Sequence, residues 1–234
     1  MKTAALTVSL LAIVSGCGSS ERVRGNGHLI DAERPTASFT AVSVSNLLRA
    51  EVKLAEPSIQ LTMDENLLQL VQTDLVGSTL AIDPSPDYDL MPSAAALVTV
   101  SSPMIDSFDT SGSARIVGAT SGRNVRLAAA GESTITATAN RATVIEISAS
   151  DNGHIDATGD ASRVAIEASG AASVGLDSAA PEVDVQASDG AAVTVHATLS
   201  VRVRASGSAV VTVIGTPTTR DVQTSDQSRV VFTN

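Results

Sequence analysis

The chain has 234 residues and a formal net charge of −10, with 43 % hydrophobic and only 17 % charged residues. This balance excludes a disordered chain and fits one or two folded domains. The acidity excludes nucleic acid and anionic lipid as electrostatic partners, because no basic patch is available to neutralise phosphate.

The chain opens as a targeting segment. Lys2 gives a positive start, and Ala4 to Val14 is an apolar run too short to span a bilayer as a helix. The run closes on Val14-Ser15-Gly16-Cys17, which resembles the lipobox of bacterial lipoproteins, in which the cysteine is lipidated and becomes the mature N-terminus. Cys17 is the only cysteine, so it has no intrachain disulfide partner. Residues 1–17 are therefore expected to be a lipoprotein signal peptide, with Cys17 the lipidation site and the lipid anchor the link to the membrane. Gly18 follows where an aspartate does not, which resembles the outer-membrane default. The expected location is exported and membrane-anchored, in the outer membrane or facing the periplasm.

Residues 18–28 are small, polar and without periodicity, and predict a tether. Residues 29–105 have a different texture and predict an N-terminal β segment. Phe39 to Val44, Ala50 to Leu54 and Ser58 to Met63 alternate as strands, with a turn at Glu56-Pro57. Asp64 to Val71 predicts a helical turn with Asp64 as its N-cap. Leu75 to Ile82 gives a strand, a loop with Pro84, Pro86 and Pro92 follows, and Ala96 to Val100 gives another strand.

Residues 106–234 carry a repeat. Small corners around Gly112, Gly131, Asn152-Gly153, Gly170, Gly190, Gly207 and Asp226-Gln227 are each followed by an apolar anchor. The anchors are Ile116, Ile135, Ile155, Val174, Val193, Val211 and Val230, separated by 19, 20, 19, 19, 18 and 19 residues. Each period holds a second strand, apolar at every second residue: Val125-Leu127-Ala129, Ile145-Ile147-Ala149, Val164-Ile166-Ala168, Val183-Val185-Ala187 and Val201-Val203-Ala205. Between these lie Arg126, Glu146, Glu167, Asp184, Gln186, Arg202 and Arg204. Such alternation marks half-buried strands.

Two strands and two corners in about 19 residues make one turn of a solenoid. One turn buries about four aliphatic side chains at roughly 1.5–3 kcal/mol each, against an ordering cost of about 1–2 kcal/mol per residue. A lone turn cannot fold and needs its neighbours. The predicted fold is all-β: a right-handed parallel β-solenoid, preceded by a short strand-rich segment. Aromatic residues are 2 % of the chain and alanine ends every inward triplet, which predicts a core too narrow for rings.

The order of a Phe-containing first strand, Asp64-Glu65-Asn66-Leu67-Leu68, Gly77-Ser78-Thr79-Leu80-Ala81-Ile82 and then iterated Ser-Gly-Ser corners resembles a known family. It is the bacterial family described as putative autotransporter adhesin head, the GIN domain, over roughly residues 32–231. The departures are Gly131-Glu132, Asp151-Asn152-Gly153, Asp189-Gly190 and Asp226-Gln227, and the Asp, Asn and Gly among them suit tight corners. The resemblance implies an all-β, solenoid-like secreted or surface protein and brings no catalytic residues.

Nothing else in the chain carries chemistry. His154 and His196 are placed in different outward columns two turns apart, and His28 lies far away, so no metal set converges. The corner aspartates lack the Gly-Gly-x-Gly-x-Asp calcium repeat and are expected to cap backbone N–H groups. Glu146 and Glu167 are expected to stack, but Asp184 or Gln186 and Arg202 or Arg204 follow, a ladder of mixed sign. Thr134, Thr136 and Thr138 form a threonine row that the next turns do not continue. No cofactor is implied. The expected function is a non-catalytic, lipid-anchored envelope protein whose surface binds an envelope, glycan or protein ligand. The alternatives are a polysaccharide-active β-helix enzyme, or self-assembly through an edge strand at Arg229-Val230-Val231-Phe232.

Overall fold

The computed structural model describes residues 20–234; the signal segment and Cys17 lie outside the described residues. Nine strands precede the repeats: β1 (Glu21–Arg24), β2 (Leu29–Arg34), β3 (Ala41–Ser45), β4 (Arg49–Leu54), β5 (Ser58–Asp64), β6 (Val71–Val76), β7 (Thr79–Pro84), β8 (Tyr88–Met91) and β9 (Leu97–Ser102). Twelve more make the repeats: β10 (Ser107–Ser111), β11 (Arg115–Thr120), β12 (Asn124–Ala129), β13 (Thr134–Ala139), β14 (Val144–Ala149), β15 (His154–Thr158), β16 (Arg163–Ala168), β17 (Ser173–Ala187), β18 (Ala192–Ala205), β19 (Val210–Ile214), β20 (Thr219–Thr224) and β21 (Arg229–Thr233).

The repeats wind into a β-solenoid of about 7 turns with about 19 residues per turn. Strands of successive turns pair in parallel on two sides. β11, β13, β15, the first half of β17, the first half of β18, β19 and β21 form one side. β10, β12, β14, β16, the second halves of β17 and β18, and β20 form the other. The anchors found by counting stand opposite one another: Ile116 on Ile135, Ile135 on Ile155, and so on through Val174, Val193 and Val211 to Val230. On the second side Val125, Ile145, Val164, Val183 and Val201 form one buried column, and Leu127, Ile147, Ile166, Val185 and Val203 another. Equal spacing brings like onto like, so each turn roofs the aliphatic row beneath it.

The narrow, ring-free core holds only for the middle turns, since Phe232 packs on it at the C-terminal end. Phe39 and Phe108 are buried, at 1 % and 0 % exposure. Both belong to the N-terminal end, where Leu61, Met63, Leu67 and Leu80 add large side chains to the interior.

The N-terminal strands are continuous with the solenoid. β3 pairs in parallel with β10, and β4 with β11, so they form one further turn beneath the repeats. β7 and β9 pair with the opposite edges of β3 and β4 and make the turn beneath that. The turn that comes first in sequence therefore lies between two later ones. Below it the direction reverses: β6 is antiparallel to β7, β5 to β9 and β2 to β5.

Two local expectations fail here. Residues 18–28 are not a tether throughout, because Glu21–Arg24 is β1, paired in parallel with β8 and tied by an Arg22–Asp89 ion pair of 3.0 Å. β8 itself falls within the expected proline loop. These partners are 67 residues apart, and neither has a pattern long enough to read alone. The helical turn reduces to a 3-10 turn at Leu68–Leu70 whose N-cap is Leu67, not Asp64.

At the other end β20 and β21 carry no strand on their far edge among the described residues. Arg220 stands in the inward column of Val201, and its guanidinium lies 4.1 Å from the centre of the Phe232 ring. An inward charge at an edge strand discourages another apolar turn from stacking there.

Candidate functional site

Strands β12, β14, β16, β17, β18 and β20 each point two side chains outward from the second side, and the parallel register sorts them into two columns. The first runs Arg126, Glu146, Ala165, Asp184, Arg202 and Asp221. The second runs Ala128, Ser148, Glu167, Gln186, Arg204 and Gln223. The columns differ in how their polarity is used. Arg202 is bracketed by Asp184 at 3.5 Å and Asp221 at 3.2 Å, one turn on either side. In the second column Glu167, Gln186, Arg204 and Gln223 make no side-chain hydrogen bond or ion pair among the described residues.

Beside the second column the chain turns its corner. Ser150, Ser169, Ser188, Ser206 and Ser225 follow the inward alanines, and their N–H groups donate to Ala129, Ala149, Ala168, Ala187 and Ala205 of the turn below at 2.9–3.0 Å. A row of short serines beside a row of long side chains leaves a step. It forms a groove of about 660 Å³ along the solenoid axis, from Ser148 to Ser225.

The residue after each serine, and Gly131 after Ala130 in the turn below, fixes this corner. Gly131, Asp151, Gly170, Asp189, Gly207 and Asp226 have φ of 74, 58, 70, 58, 67 and 60°, so glycine and aspartate alternate in the left-handed region. A Cβ on Gly170 or Gly207 would come within 2.8–2.9 Å of the backbone below. Each aspartate carboxylate accepts the N–H of the glycine one turn below, Asp151 from Gly131, Asp189 from Gly170 and Asp226 from Gly207, at 3.4, 3.3 and 3.2 Å. Asp151, Asp189 and Asp226 are thus caps, as their sequence positions predict, whereas the Asp156 carboxylate pairs with the His154 ring instead.

Against this geometry, the family model described as "Putative auto-transporter adhesin, head GIN domain" matches residues 38–217. The chain belongs to this family. The fold of the GIN-domain chain is also that of solved bacterial structures. A putative adhesin from Bacteroides fragilis superposes with a TM-score of 0.84 at 13 % identity, over 90 % of this chain and 99 % of its own. A putative lipid binding protein from Parabacteroides distasonis gives 0.72 at 18 %, over 92 % and 100 %. A putative adhesin from Parabacteroides merdae gives 0.63 at 16 %, again over 92 % and 100 %. At these identities the likeness is one of fold. No curated protein matches the sequence.

The GIN-domain structure separates residues that the sequence pattern grouped. Glu146 and Glu167 do not stack: Glu146 faces Ala165 and Glu167 faces Ser148. Each strand has two outward positions, and these glutamates occupy different ones. His154 bonds to Asp156 at 2.8 Å, while His196 lies in another column beside Ile214. No three His, Cys, Asp or Glu side chains converge among the described residues. Thr134, Thr136 and Thr138 meet His154, Asp156 and Thr158 in the next turn, so the threonine array stops. The unpaired column and its serine shelf escaped sequence reasoning. The second outward position of each alternating triplet carries the signal, but alternation alone does not separate Gln186 and Arg204 from Asp184 and Arg202; the pairing register does.

Proposed function

We propose that this GIN-domain chain is a non-catalytic, lipid-anchored protein of the cell envelope that binds an extended, hydroxyl-rich glycan along its axial groove. One observation carries the reading: four long polar side chains in a single column, all without partners among the described residues, beside a shelf of serine hydroxyls. In the middle turns both edges of every strand are occupied by neighbouring turns, so a peptide has no free edge to extend. Recognition then falls to side-chain amides, hydroxyls and charges, which suit a ligand rich in hydroxyls. The groove offers no aromatic face, so each sugar is held weakly and contact extends over several turns, spaced about 4.8 Å, with affinity growing by multivalency.

Glu167 is the one carboxylate that lines the groove, whereas glycoside hydrolysis uses two acids flanking the scissile bond. The adhesin description of the family supports a surface or exported, non-enzymatic role. Among the described residues no helix is long and apolar enough to cross a membrane; the anchor is assigned to Cys17, in the outer membrane or facing the periplasm.

A protein spanning residues 18–234, applied to arrays of envelope and host-matrix glycans, is expected to retain linear glycans; retention of none overturns the binding reading. Metabolic labelling with an alkyne fatty acid is expected to mark the full chain and not Cys17→Ser, and a labelled Cys17→Ser overturns the anchor.

A further inference from the structure

Resting on the groove reading above, we infer that the ligand is an acidic glycan whose carboxylate seats on Arg204. Arg204 is the one cation among the residues that line the groove. It is exposed, it lines the groove, and its column neighbours are the neutral amides of Gln186 below and Gln223 above. Two residues earlier on the same strand, Arg202 is equally placed towards solvent and is held by Asp184 and Asp221. The register therefore neutralises one arginine and leaves the other free.

A guanidinium offers parallel N–H donors that match the two oxygens of a carboxylate. The amides on either side both donate and accept, and so complete the contacts to hydroxyls of the flanking sugars without competing for the charge. Glu167 stands two turns below Arg204, about 10 Å at the strand spacing. That acid and the net charge of −10 disfavour a dense polyanion. They act weakly on a single carboxylate at Arg204, because screening reaches about 8 Å at physiological salt. The ligand class is a glycan with isolated carboxylates among neutral sugars.

The test uses residues 18–234 and a panel of oligosaccharides containing glucuronate, galacturonate or sialate, each beside its carboxyl-reduced counterpart and beside neutral glycans, with affinities measured by calorimetry. At least one acidic member is expected to bind about tenfold or more tighter than its reduced form. Arg204→Gln is expected to lose that preference, Arg204→Lys to keep part of it, and Arg202→Gln to keep all of it. Equal binding of acidic and reduced forms, binding of neutral glycans alone, or an unchanged preference in Arg204→Gln overturns the inference and leaves the groove reading standing. Binding of no glycan at all overturns both.

Discussion

The hydroxyl and the backbone N–H of Ser93 both donate to the carboxylate of Asp64, at 2.7 and 2.8 Å, across 29 residues of sequence. The N–H of Gly27 adds a third bond at 2.7 Å, and Asp64 has no exposed surface. A Cβ on Gly25 would fall 2.2 Å from the same carboxylate, so the chain approaches there only as glycine. One side chain thus pins the segment after β1, the end of β5 and the loop after β8.

This clasp predicts an acid-sensitive element. The Ser93 hydroxyl first, then the backbone N–H groups, hold the Asp64 carboxyl below its ordinary range despite desolvation. A depressed folded-state value means the folded chain binds fewer protons. The stabilisation is complete above the unfolded carboxylate value of about 3.9 and fades as pH falls through the folded value. Asp64→Asn is expected to lower Tm at pH 7, with the gap to wild type closing below about pH 4. A gap independent of pH in thermal melts contradicts it.

Ile147 tests the inward columns. It is 2 % exposed between Leu127 and Ile166. Ile147→Val is expected to cost about 1 kcal/mol and Ile147→Asp more than about 4 kcal/mol, because a buried charge would have no partner. Urea unfolding measures both; an unchanged midpoint for the aspartate variant contradicts the inward placement.

The alternating corner makes glycine and aspartate unequal. Gly207→Ala is expected to destabilise by about 1–3 kcal/mol, since φ is 67° and the new Cβ meets the backbone of Asp189 at 2.9 Å. Asp189→Gly relieves a non-glycine φ of 58° and loses one cap to Gly170, so it is expected to change stability by less than about 1 kcal/mol. Melting curves of the two variants should separate clearly.

Arg34 secures the N-terminal end. Its guanidinium donates to the carbonyls of Leu68 and Val71 at 2.6 and 2.7 Å and to the Thr73 hydroxyl at 3.0 Å. Arg34→Ala is expected to cost about 2–3 kcal/mol, and Arg34→Lys to recover only part, because an ammonium cannot reproduce the fork. Denaturant titration and hydrogen exchange at Leu70 and Val71 report the loss.

Arg202→Ala removes an exposed pair with Asp221 and a longer one, at 3.5 Å, with the half-buried Asp184, and is expected to cost about 1 kcal/mol. Glycan binding should survive it. A large loss of binding would move the site to the wrong column.

Much of the solenoid was legible in the sequence because parallel stacking repeats itself. Once Ile116 and Ile135 share a column, the same interval places Ile155, Val174, Val193, Val211 and Val230, and burial follows from alternation. The groove was half legible: Glu167, Gln186 and Arg204 stood out as outward residues. Telling their column from that of Glu146, Asp184 and Arg202 needed the pairing register, because one residue's shift of outward position changes every neighbour.

The all-β class, the coil of about 19 residues and the inward rows can be read from the chain alone, since each depends on local alternation repeated at a fixed interval. Tertiary structure decided what no interval encodes: β3 and β4 seated between later strands, Asp64 buried under Ser93, and Arg204 left without an acid while Arg202 has two. Those arrangements join residues that recur nowhere else in the chain, and their geometry exists only when distant backbone has been brought together.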